Sequence, residues 1–109
     1  MLLDKLNITL NSLLKKHYAV EFYSENDYYI ILSFYHLNSV SNGLAYIEKN
    51  GDNITIDFQY HRYNKIVKNQ IENIGKYIKN LYNLKQQQKA FDIMKNYKYL
   101  YEKIYNMEV

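Results

Sequence analysis

LAYIEKNGDNITIDF, residues 44–58, decides the fold. At its centre, Asn50-Gly51 supplies two residues that tolerate positive φ, as the middle of a type I′ turn demands. The flanks alternate. Ala45, Ile47, Ile54, Ile56 and Phe58 share one face, and Leu44, Tyr46, Glu48, Thr55 and Asp57 share the other. A period of two around such a turn is a β-hairpin. Centred on Asn50-Gly51, it pairs Lys49 with Asp52, Ile47 with Ile54 and Ala45 with Ile56.

The same period runs upstream. Tyr18, Val20 and Phe22 alternate with Ala19, Glu21 and Tyr23, and Tyr28, Ile30, Leu32 and Phe34 alternate with Tyr29, Ile31, Ser33 and Tyr35. A three-residue loop over Ser24-Glu25-Asn26, with Asn26 left-handed, closes a first hairpin. It pairs Phe22 with Tyr28, Val20 with Ile30 and Tyr18 with Leu32. The second strand is apolar on both sides, which places it inside the sheet. HLNSVSNG, residues 36–43, has the chemistry of a connection.

On either side of the strands the period lengthens to that of a helix. Leu3, Leu6, Leu10 and Leu13 form one stripe over residues 3–16, with Asp4 in the first turn and Lys15 and Lys16 in the last, matching the helix dipole. After Asn64, a candidate N-cap, come Val67, Ile71, Ile74, Ile78 and Leu81. Gly75 inside that helix costs up to about 1 kcal/mol relative to Ala and could permit close approach to a neighbour. Beyond Leu81 the phase breaks, and a new stripe runs through Ile93, Tyr97, Leu100, Ile104 and Met107. Neither Gly nor Pro punctuates NLKQQQK, residues 83–89, so residues 64–107 read as one long helix or two. The expected architecture is α+β, a single domain over residues 1–109. It comprises an N-terminal helix, a four-stranded antiparallel sheet from two hairpins, and one long or two C-terminal helices packed on the sheet.

Composition excludes several functions. The chain has no cysteine, so disulfides, thiolate nucleophiles and Cys-ligated zinc are absent, which suits a reducing compartment. MLLDKLNITLNSLLKK reads as an amphipathic helix rather than a signal peptide, and no run approaches a membrane span. A cytoplasmic protein is expected, with no membrane partner and no cofactor. His17, His36 and His61 lack metal-ligand spacing. His61-Arg62-Tyr63, at the strand-to-helix junction, could meet an anion or, as a third reading, serve a small enzyme; a solvated turn is the plainer account. No nucleophile elbow, phosphate loop or dinucleotide fingerprint occurs, so nothing supports catalysis.

Two surfaces remain. Fourteen tyrosines stand in a chain without tryptophan. If helices cover the face bearing Val20, Ile30 and Ile56, the opposite face presents Tyr23, Tyr29, Ile31, Tyr35, Leu44 and Tyr46. The last helix adds Phe91, Met94, Tyr101 and Tyr105 beside its main stripe. Tyrosine gives broad contact area at low rotamer-entropy cost. The expected partner-binding set is therefore Tyr23, Tyr29, Tyr35, Tyr46, Tyr101 and Tyr105, for another protein or a second copy. The competing account lays the last helix across those rings. The other surface is basic. Residues 1–59 carry four lysines against seven acids, a net −3, whereas residues 60–109 carry Arg62 and nine lysines against four acids, a net +6. Arg62, Lys65, Lys68, Lys76 and Lys79 could touch nucleic-acid phosphates, although Glu72 sits among them and Arg62 is the sole arginine.

In size, cysteine-free composition and helix–hairpin–hairpin–helix order, the chain resembles the small accessory or inhibitor proteins of viruses and mobile elements. That resemblance implies a non-catalytic module that docks on a larger host protein, inside an infected cell.

Overall fold

The computed structural model describes residues 1–24, 29–50, 53–86 and 88–97, leaving aside the side chains of residues 22–24, 29, 30, 50 and 53. Helix α1 (Leu2–Lys15) leads into strands β1 (Tyr18–Ser24), β2 (Tyr29–His36), β3 (Asn42–Asn50) and β4 (Asn53–His61). Helix α2 (Lys65–Asn83) follows, and residues 88–97 form helix α3. The strands make an antiparallel sheet in the order β1-β2-β3-β4, so β2 is interior and β1 and β4 are its edges. The helices pack on the sheet, giving the α+β architecture that the alternating and helical periods predict.

Both hairpin registers differ from those expectations. In the second hairpin Asn50 pairs with Asn53, Ile47 with Ile56 and Ala45 with Phe58. The pairing is displaced by two residues, and Gly51-Asp52 rather than Asn50-Gly51 lies between the closing partners. Gly43 then faces Tyr60, and a Cβ on Gly43 would lie 3.0 Å from the Tyr63 ring and 2.8 Å from the Gln59 carbonyl. The side-chain-free residue is needed there because the backbone and an aromatic ring converge on it. In the first hairpin Tyr18 pairs with His36, Val20 with Phe34 and Phe22 with Leu32, a displacement of four. This register lets the Tyr18 and His36 rings meet edge to face at 4.8 Å and the Leu37 N–H donate to the His17 carbonyl at 3.2 Å. Both shifts are even, so each strand keeps its predicted face.

That face carries the core. Leu32, Ala45 and Ile47 are fully buried, and they cluster with Leu6, Leu10 and Leu13 of α1 and with Val67, Ile71, Ile74, Ile78 and Leu81 of α2. The whole predicted isoleucine stripe is thus inside. Asn64 caps α2 as expected, its Oδ1 accepting from the Val67 N–H at 2.8 Å. At the other end the Gln86 N–H donates to the Leu81 carbonyl and the Lys85 N–H to the Tyr82 carbonyl, with Lys85 at φ 59. Those two bonds form a Schellman stop with lysine in the left-handed position usually given to glycine. Among the described residues the C-terminal segment is therefore two helices. Ala90, Phe91, Met94 and Tyr97 of α3 join the same core. Phe91 and Met94, expected beside a partner surface, are interior residues.

At Gly75, α2 comes close to β4. A Cβ there would lie 2.5 Å from Phe58 Cζ and 3.3 Å from Ile56 Cδ1. The helical glycine lets α2 lie close against β4, since any side chain there would have to displace the Phe58 ring.

Candidate functional site

The face of the sheet away from the core holds Ile31, Tyr35, Leu44 and Tyr46, all half-buried. The register joins them, since Tyr46 lies between Ile31 and Asp57, and Leu44 between Ser33 and Gln59. Among the described residues of this face, none belongs to the helix-covered core cluster. The two ends of the face differ. Toward β1, Ala19 is buried, Glu21 is half-buried, and the Tyr35 hydroxyl donates to Glu21 Oε1 at 3.2 Å. Toward β4, Thr55, Asp57 and Gln59 are exposed. Acidic Glu48 and Asp57 flank Tyr46, so the open part is an apolar strip with a negative border.

The predicted tyrosines fall into three groups. Tyr35 and Tyr46 are brought onto this face. Tyr23 and Tyr29 occupy strand positions, paired with Ile31 and Glu48 respectively, and their side chains lie outside the description. Tyr101 and Tyr105 lie outside the described residues altogether.

The predicted cationic residues do not form a uniform row. Arg62 is exposed at φ 55, and its carbonyl accepts from the Ser41 hydroxyl. Lys65, Lys76 and Lys79 are exposed, but Lys68 leans on β4, its Nζ 5.2 Å from the Tyr60 ring centre. Glu72 accepts from the Tyr60 hydroxyl at 3.4 Å. Lys76, Lys79 and Glu72 border a groove floored by Ile56 and Phe58, and the Phe58 and Tyr60 rings stack at 5.8 Å. The sequence reading missed this groove. Its signal was Gly75, which brings α2 down on β4, but only the strand order reveals that β4 is an edge.

Burial pushes the Tyr60 phenol well above its ordinary range, and the neighbouring Glu72 carboxylate adds to the effect. Tyr63, of the His61-Arg62-Tyr63 cluster, is shifted the same way, chiefly by burial. Its hydroxyl donates to the Phe34 carbonyl in the interior, while His61 and Arg62 are exposed. The cluster therefore divides between core and solvent. His36 Nδ1 accepts from the Asn38 N–H at 3.0 Å, and its ring lies 6.3 Å from that of His17. Among the described residues no three His, Asp or Glu side chains converge as metal ligands. No helix of the described residues is long and apolar enough to cross a membrane. The chain matches no protein-family model, no curated protein and no solved structure.

Proposed function

We propose that the protein is a non-catalytic interaction module that docks on a larger protein through the sheet face centred on Ile31, Leu44 and Tyr46. The supporting observation is that a register-linked apolar strip, half-buried, lies on the face opposite the helix-covered core. Isolated exposed apolar residues are ordinary on any protein, whereas a register-linked set marks a contact surface. Its border of Glu48 and Asp57 favours a partner whose rim is basic. The wider tyrosine set, Tyr23, Tyr29, Tyr35, Tyr101 and Tyr105, extends the proposed contact. A viral or mobile-element accessory acting inside a host cell is the setting that fits such a module.

A photocrosslinking residue at position 46 tests the proposal, with one at position 66 on exposed α2 as the control. Position 46 should yield a discrete protein adduct that Leu44→Ser abolishes, and position 66 should yield none. An adduct of twice the chain mass identifies a second copy as the partner. Crosslinks from position 66 alone, or adducts unaffected by Leu44→Ser, would reject the face. The competing nucleic-acid reading, through Arg62, Lys65, Lys68, Lys76 and Lys79, predicts binding that weakens steeply with salt. An aromatic interface changes little.

A further inference from the structure

The two edges of the sheet can be compared from their hydrogen bonds. The His36 N–H donates to the Ser41 carbonyl at 3.0 Å. Continuing that ladder, β2 and β3 bond through Phe34–Gly43 and Leu32–Ala45. Antiparallel strands bond each neighbour through alternate residues. β3 therefore bonds β4 through Leu44–Gln59, Tyr46–Asp57 and Glu48–Thr55. Ile54, Ile56, Phe58 and Tyr60 are left with their N–H and C=O groups directed at the outer edge. Among the described residues no strand pairs with that edge. At β1 the same logic directs Tyr18 outward, because the His17 carbonyl already accepts from Leu37. There, however, the Tyr97 hydroxyl of α3 donates to the Tyr18 carbonyl at 2.8 Å. One edge has a helix side chain bonded to it, and the other has no strand beside it among the described residues.

We propose that the β4 edge and its groove with α2 receive an extended acidic segment of a partner protein as an added strand. The outward groups of Ile56 and Phe58 supply the backbone bonds, and strand addition at a sheet edge draws its affinity from such bonds. Side chains of the incoming strand opposite these two residues fall on the groove face, where Ile56 and Phe58 form an apolar floor. Specificity comes from the rim. Lys76 and Lys79 line the groove with a single carboxylate, Glu72, which already accepts the Tyr60 hydroxyl, and Lys68 lies over the Tyr60 ring of β4. The local charge therefore selects acidic residues on the groove side of the added strand, and Asp57 on the far side selects neutral or basic ones. The same lysines argue against a second copy, because pairing two β4 edges would bring two such helices together with like charges facing. This site stands independently of the open sheet face, and its readout falls on different residues.

The probe is a short threonine-rich peptide with two valines flanked by two glutamates on one strand face, titrated into the full chain. The expected result is saturable binding with amide shifts at Ile56, Phe58 and Tyr60. Replacing both glutamates by lysine should weaken binding at least tenfold. Lys76→Glu with Lys79→Glu, both at exposed positions, should reverse that preference. N-methylating alternate peptide amides should abolish binding in one of the two phases and spare it in the other. The proposal is overturned by failure of the acidic peptide to bind, by equal affinity for both peptides, or by indifference to methylation in either phase. Shifts confined to Leu44 and Tyr46 would also overturn it, while leaving the open-face reading intact. Concentration-dependent self-association that shifts Ile56 and Phe58 without peptide would replace the partner with a second copy.

Discussion

The β1 side and the β4 side of this sheet are built from the same alternating pattern and finished differently. At β1, a hydroxyl from α3 meets an outward carbonyl, and even the small Ala19 on the far face is buried. At β4, the strand has no described neighbour beyond it, Thr55, Asp57 and Gln59 are exposed, and Ile56 and Phe58 floor a groove bordered by lysines. Edge strands are aggregation hazards, and proteins usually cover or charge them. Here the outward backbone of one edge takes a bond from a helix side chain, and the other edge is bordered by charge. A partner strand therefore has room to approach at β4 rather than at β1.

The largest expected effect contrasts the two faces between those sides. Leu32→Ala removes a fully buried side chain and should cost about 2–5 kcal/mol. Leu44→Ala, one strand away on the open face, should cost less than about 1 kcal/mol. Urea unfolding of both variants checks the ratio, and equal costs would mean that the open face is as enclosed as the core. Next comes the β4 side. Gly75→Ala gains helix propensity of about 1 kcal/mol, yet its new methyl must displace Phe58. The net outcome should be destabilisation by about 1–2 kcal/mol, read by thermal unfolding; a rise in Tm would show that α2 can lift from β4 freely. At the β1 side, Tyr97→Phe deletes the hydroxyl bond to the Tyr18 carbonyl and should cost about 1 kcal/mol. A stability unchanged by it would mean that α3 contributes little to that edge.

The smallest effect concerns pH. Tyr60 and Tyr63 hold their protons more tightly in the fold than an ordinary phenol does. Folding therefore favours the protonated form. Their contribution is fully present below about pH 10, the ordinary phenol pKa, and is lost as pH rises above it. Tyr63→Phe should flatten the alkaline decline in unfolding free energy; an unchanged slope would assign the decline to other groups.

Much of this fold could be read in the residues, and each failure has a physical cause. A period of two states which side chains share a face, so the core set of Val20, Leu32, Ala45, Ile47 and Ile54 was legible. The same period is blind to a slip of two or four, so both hairpin registers were misplaced. Asn50-Gly51 looked like the better turn centre by propensity, but Gly43 has to meet Tyr60, and that requirement is invisible locally. The break between α2 and α3 was hidden because Lys85 takes the left-handed position without the customary glycine. For the site, the alternation located Leu44 and Tyr46 on one face. The β4 groove could not be seen, because edge status belongs to strand order and not to any segment.

The most direct test of the account is solvent relaxation by a soluble gadolinium chelate on the monomeric chain, read at methyl groups. Strong relaxation is expected at Leu44, Ile31 and Ile56, and weak relaxation at Leu32, Val20 and Ile47. Protection of Leu44 and Ile56 equal to that of Ile47, in the absence of any partner, would contradict it.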